Sequence, residues 1–277
     1  MRSAWARAPR TALALIVASL ATGFASDASA QRLINCRPFS YVVPVDVPLE
    51  ISASATEGDV TAFLAGQTAD CPRCDLSGAQ LQKRDLRGSD LRGANFTGAS
   101  LHRANLSSAR LDGAVLVGAN LNRTDLRRTQ LTGADLSGAM LYGANAGAAV
   151  LAGAILTDAR LQHAVFTRAT LNGASLRRVV ATWANFAHAD LRNADLEQGN
   201  FQGADFQRGI LQRARLTHGG FVGANFTATD LSQANAYNAD FLAADFTDAR
   251  LANADLRAVR LNGAELTCAV FDNAILG

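Results

Sequence analysis

The sequence predicts an all-β solenoid, a chain that turns a corner every five residues and closes a coil every twenty. Three observations carry this. Stepping by five from Leu76 reaches Leu276 without a slip of register, and 38 of the 41 residues met are Leu or Phe, the exceptions being Ala146, Ala181 and Ala236. No Pro occurs after Pro72. Phe166, Phe186, Phe206, Phe226 and Phe246 lie twenty apart, as do Phe201, Phe221 and Phe241.

The five-residue period excludes the two regular alternatives. Five residues rotate an α-helix by about 500°, so the Leu positions would wind around it and share no face. In a flat strand side chains alternate, so an odd spacing flips successive Leu residues. A corner every five residues lets each side point one large and one small residue inward. Ala stands two residues before the Leu/Phe position in 30 of 41 units, and Asp or Asn directly before it in 20. Asp and Asn suit turns, because their side chains bond nearby backbone groups. Gly is common two residues after it, as at Gly78, Gly88 and Gly93. Rings gain by stacking on rings in neighbouring coils, so the twenty-residue Phe spacing sets four sides per coil. About ten coils at ~4.8 Å make a rod of ~48 Å.

Three segments follow in chain order. Residues 1–30 carry Arg2, Arg7 and Arg10, then a mostly apolar run from Thr11 to Phe24, then Ala28-Ser29-Ala30. This is the layout of a secretory signal peptide cleaved after Ala30. Residues 31–73 contain "RPFSYVVPVDVPLEIS", which reads as extended, and "EGDVTAFLAGQ" (Glu57 to Gln67), which reads as a short helix covering the open N-terminal coil. Residues 74–277 are the repeat, which stops at Leu276-Gly277 with no comparable cap. Removing residues 1–30 takes three Arg and Asp27 from 26 basic and 24 acidic residues, leaving 23 of each. A neutral chain gives no general electrostatic reason to bind nucleic acid, so none is expected. No later stretch is apolar enough for a membrane span.

The units in "GADLSGAMLYGAN" (Gly133 to Asn145) and "HADLRNADLEQGN" (His188 to Asn200) match the pattern A-(D/N)-L-x-x. On these residues the chain resembles the pentapeptide repeat family over residues 74–277. The resemblance implies a right-handed quadrilateral parallel β-helix with Leu/Phe and Ala inside. Paired Cys residues followed by "DLSGA" also open the repeat in similar family members, as here at Cys71, Cys74 and Asp75 to Ala79.

A search for chemistry finds little. A metal site at Cys71 and Cys74 lacks two further ligands, and a redox motif lacks its βαβ setting. Packed thiols or a structural disulfide remain, and export favours the disulfide. Cys268 is some nine coils away, beyond bonding reach of either. His102, His163, His188 and His218 all miss the inward register and read as surface residues. No phosphate-binding Gly loop, catalytic constellation or cofactor motif occurs.

One face stands out. The side passing through Leu81, Leu101, Leu121, Leu141, Leu161 and Ala181 holds one acidic residue, Asp240, where the others hold five or six. It displays Lys83, His102, Arg103, Arg123, Tyr142, Arg160, His163 and Trp183, with Arg260 beyond. Tyr and Trp beside Arg are common at partner contacts. The sequence therefore leads to an exported, periplasmic or secreted, non-enzymatic binding or scaffold protein. Its expected partner is a protein, anionic where it meets this side, and the uncapped C-terminal coil is a candidate contact for homo-oligomers. The alternative, taken from the resemblance, is a DNA-mimicking topoisomerase-binding protein like the quinolone-resistance members. A neutral, exported chain counts against it.

Overall fold

The computed structural model describes residues 58–277. The signal peptide, the extended segment up to residue 57 and Cys36 lie outside the described residues.

Parallel bridges join residues twenty apart, from Asp75↔Asn95 to Arg250↔Val270, with no change of offset. One residue in five takes part, so each turn has four sides and each side contributes one ladder position. The ladder lengthens only near the end, where β1 (Asp255–Leu256) pairs in parallel with β2 (Ile275–Leu276). The result is a β-helical solenoid.

Backbone hydrogen bonds explain why the unit has five residues. The Leu76 N–H donates to Asn95 O (2.7 Å) and the Gly78 N–H to Thr97 O (2.9 Å), both in the next turn. The Ala79 N–H returns to Leu76 O (3.1 Å) and closes the corner. The Asn95 N–H donates back to Cys74 O (2.8 Å). One N–H per unit, that of the residue after the Leu, is left without a backbone acceptor. Where Asp or Asn precedes the Leu, its Oδ1 takes that N–H: Asp75 from Ser77 (3.1 Å), Asn95 from Thr97 (3.0 Å), Asp135 from Ser137 (2.9 Å). A half-exposed N–H that water would otherwise serve is thus held by the chain itself.

The Leu/Phe and Ala positions form one continuous buried core. Phe166, Phe186, Phe206, Phe226 and Phe246 stack with centroids 5.1, 5.1, 5.0 and 5.0 Å apart and planes within 7°. Phe201, Phe221 and Phe241 form a second ladder, and rings of the two ladders meet tilted or edge-on, as Phe201 does Phe206 at 5.7 Å. Three Thr stand at Ala positions. Thr124, Thr129 and Thr229 each donate Oγ1 to a core-facing carbonyl at 2.8 Å, so their burial leaves no hydroxyl unpaired.

At the N-terminal end, α1 spans Val60–Leu64. Asp59 caps it, accepting from the Ala62 N–H at 3.0 Å. Phe63 is fully buried against the first turn, and the Arg84 guanidinium lies 4.5 Å over its ring while donating to the Phe63 and Leu64 carbonyls. Cys71 and Cys74 form a buried disulfide with Cα atoms 5.4 Å apart. Gly58 packs onto it: its N–H donates to Pro72 O at 2.7 Å, and a Cβ there would meet Cys74 Sγ at 2.8 Å. Helix and disulfide together close this end of the core. At the other end Ile275 is exposed and Leu266 half-buried.

Candidate functional site

The coil geometry sorts the candidate face into columns that run along the rod. Lys83, Arg103 and Arg123 stand twenty residues apart and project from successive corners of one side, all exposed. Gly143, His163, Trp183 and Gly203 continue the same column. Tyr142 sits one residue before Gly143 and meets the His163 ring edge-on at 5.5 Å. Its backbone N–H donates to Asn122 Oδ1 at 2.8 Å. Trp183 is 61% exposed and Tyr142 45%, high values for side chains of this size. The column from Lys83 to Trp183 covers about 24 Å, at ~4.8 Å per turn. Arg160 is exposed on the same side but at its other margin, and His102 is half-buried beside Arg103. The structure therefore brings Lys83, Arg103, Arg123, Tyr142, His163 and Trp183 into one stripe, with Arg160 and His102 at its edges.

Two glycines shape the stripe. A Cβ on Gly203 would meet the Trp183 ring at 2.5 Å, so the indole lies against this residue. A Cβ on Gly143 would lie 3.7 Å from Arg123 Cγ, so the Arg123 stem runs across it. Sequence reasoning passed over both, although each stands twenty residues after the side chain it receives.

A scarcity of acids separates this face from the others. Elsewhere Arg is commonly neutralised: Arg87 by Asp85, Arg127 by Asp125, Arg178 by Asp158, Arg257 by Asp255, and Arg177 and Arg215 by Asp195 and Glu197. Hydrogen bonds from these Arg side chains hold the carboxyls of Asp85, Asp125, Asp158 and Asp255 below the usual carboxylate range. On the candidate face Asp240 is taken by Arg260 at 2.8 Å. Lys83, Arg103, Arg123 and Arg160 have no carboxylate partner among the described residues. The stripe is thus a row of unneutralised cations ending in exposed aromatic rings.

A smaller cluster was not foreseen. On another side Tyr237, 42% exposed, lies 5.8 Å from the His218 ring and 5.8 Å beneath the Arg257 guanidinium. Arg257 is neutralised by Asp255, so this cluster carries no free charge row. Among the described residues no group of three or more His, Cys, Asp or Glu could hold a metal ion. No helix there is long and apolar enough to cross a membrane.

A family model described as pentapeptide repeats matches in eight copies over residues 74–113, 109–145, 148–180, 182–217, 210–242, 220–257 and 244–277. Among solved structures the chain is similar to HetL, a pentapeptide repeat protein involved in heterocyst differentiation regulation from the cyanobacterium Nostoc sp. strain PCC 7120. The two share 32% identity over 75% of this chain and 86% of HetL, with a TM-score of 0.61. Full-length QnrB1, a plasmid-mediated fluoroquinolone resistance protein, aligns at 20% identity over 75% of this chain and 93% of its own, with a TM-score of 0.34. No curated protein matches.

Proposed function

The chain belongs to the pentapeptide repeat family, and from that membership we propose that it is an exported, non-enzymatic binding or scaffold protein whose sparsely acidic side engages an anionic protein. The coil is taken as right-handed, as the family resemblance implies, and the 41 five-residue units give it about ten turns. The reading rests on one observation: Lys83, Arg103 and Arg123 stand in a single column without a carboxylate partner among the described residues, and that column leads to exposed Tyr142 and Trp183. Like charges ~5 Å apart repel, so an acidic surface laid along the column gains from all three at once. The aromatic end adds buried area on contact. HetL is involved in heterocyst differentiation regulation, and a rigid rod suits a regulatory role. A DNA-like surface instead needs rows of unneutralised carboxylates, whereas Asp85, Asp125, Asp158, Asp195 and Asp255 each hold an Arg.

The test is capture from the envelope of the producing cell with the chain lacking residues 1–30, followed by affinity measurement. The variant Arg103→Gln/Arg123→Gln/Arg160→Gln should weaken binding about tenfold, from three exposed pairs at ~0.5 kcal/mol each, and more at low salt than at high. The matched control is Arg128→Gln/Arg168→Gln/Arg208→Gln, three exposed Arg in one column of a side richer in acids. Equal binding by both triple variants would sink the proposed surface.

A further inference from the structure

We propose that the partner met by the sparsely acidic side is a second copy of this chain, laid antiparallel along it. The corner column that begins at Lys83 is complementary to itself. Its first three residues, Lys83, Arg103 and Arg123, are large, exposed and cationic. Its last three, Gly223, Ala243 and Gly263, are small and exposed. His163 and Trp183 stand at its middle.

Turned end for end, the column fits its own copy. With His163 set against Trp183 of the second copy, Arg123 falls on Gly223, Arg103 on Ala243 and Lys83 on Gly263, because each step is twenty residues in either direction. Each long side chain meets a corner that has little or none. The match occurs twice about a two-fold axis, so the contact closes as a dimer and does not propagate. A parallel copy brings cations against cations, which repel.

Charge follows the same order. Asp245 and Glu265 stand two residues beyond Ala243 and Gly263. Asp245 accepts from Thr227 Oγ1 (3.2 Å) and from the Thr247 N–H (2.8 Å), and Glu265 from the Thr267 N–H (3.1 Å). No Arg or Lys among the described residues neutralises either. The antiparallel copy therefore brings Arg103 to Asp245 and Lys83 to Glu265, free cation to free carboxylate. At the centre Trp183, 61% exposed, and the His163 ring meet their counterparts across the axis. Aromatic rings at the middle of a contact and charges toward its margins are the usual anatomy of a protein interface. The rod is also polar along its length: residues 71–130 hold ten basic and five acidic residues, and residues 231–277 hold three and six. Such rods steer one another into antiparallel encounter. A side ~48 Å long and ~13 Å wide offers about 600 Å² from each copy, or about 1,200 Å² in all, enough for a specific contact. Resting on the proposed binding surface, this pairing names what covers it.

Lys83 is the only Lys in the chain. A carbodiimide, which condenses an amine with a carboxylate and takes up the water released, therefore has one side-chain amine to act on. The chain lacking residues 1–30 is treated at about 100 µM, reduced and digested with trypsin. A covalent dimer is expected, with residues 74–84 joined through Lys83 to Glu265 in residues 261–277. Within one rod these two residues lie about 44 Å apart, at ~4.8 Å per turn, so the link forms only between copies. Sedimentation equilibrium should show the dimer. Lys83→Glu and Glu265→Lys should each weaken it about tenfold, and the two together should restore it. Trp183 is the sole Trp once residues 1–30 are removed, and its emission should shift to the blue as the dimer forms. A chain that sediments as a monomer, or a dimer in which Lys83 is linked elsewhere, overturns the pairing. If the chain is a monomer while the triple Arg variant still loses an envelope protein that the unaltered chain captures, the binding surface stands and only the second copy falls.

Discussion

The corner of every five-residue unit puts one residue into the left-handed region, two positions after the Leu or Phe. Gly78 (φ 65°) and Gly113 (φ 65°) adopt it freely, but so do Arg103 (φ 59°), Trp183 (φ 59°) and Ala243 (φ 55°). For a residue with a Cβ this conformation costs about 1–2 kcal/mol. The solenoid tolerates it because the residue's N–H bonds into the next turn, as Ala243 N–H does to Asn262 O at 2.9 Å. Ala243 is exposed and lies between Gly223 and Gly263 in its column. Ala243→Gly should therefore stabilise by about 0.5–1 kcal/mol, the relieved strain outweighing the added entropy of the unfolded Gly. Chemical denaturation measures it, and a loss of stability would show that the corner stores no strain. The Gly preference was legible in the sequence. That so many charged residues share the conformation was not, because it follows from the hydrogen bonds to the next turn.

At the scale of the element, the Phe ladders join the turns. Phe206 is the middle of five rings, stacked 5.1 Å from Phe186 and 5.0 Å from Phe226, and is fully buried. Phe206→Ala removes two stacking contacts and leaves a cavity that rigid neighbouring turns cannot fill, so it should cost about 3–5 kcal/mol. A denaturation midpoint equal to that of the surface variant Arg208→Ala would defeat this account. The second ladder depends on its small neighbours. A Cβ on Gly199 would meet Phe201 at 2.4 Å, and one on Gly219 would meet Phe221 at 2.5 Å. Where Ala239 replaces Gly beside Phe241, the ring tilts 23° from Phe221 instead of 3°. Twenty-residue spacing alone foretold the ladders. It did not foretell their tilt, which depends on atomic contact. The short helix was legible from its apolar spacing between residues 57 and 67, while its fastening by Arg84 was not, since a cation at an Ala position looks like an error in the repeat.

For the whole molecule, the proposed export assigns residues 1–30 a transient role. Ala28-Ser29-Ala30 follows the apolar run at a spacing suited to signal cleavage. Protein isolated from the envelope should begin at Gln31, as N-terminal sequencing or intact mass would show, and retained Met1–Ala30 would mean an anchor instead. The mature chain is electrically neutral, yet its charges are unevenly distributed. Every side holds an Arg–Asp pair, but the sparsely acidic side, which carries Arg260–Asp240, keeps Lys83, Arg103, Arg123 and Arg160 free of carboxylates among the described residues. Exposed pairs contribute at most ~1 kcal/mol each to stability, so this asymmetry bears on what the rod meets more than on how it folds.

By itself the sequence determined which residues face inward, how many sides a turn has and which rings share a ladder. Period is enough for these, because water sorts apolar from polar side chains the same way in every unit. It also assembled the candidate stripe, since residues twenty apart must be neighbours. Only the tertiary structure decided which cations keep their charge uncompensated. Arg178 reaches back twenty residues to Asp158, and Arg177 reaches forward to both Asp195 and Glu197. Those pairings depend on the direction each side chain leaves its corner and on what the adjacent turn offers within ~4 Å, a distance that no count along the chain contains.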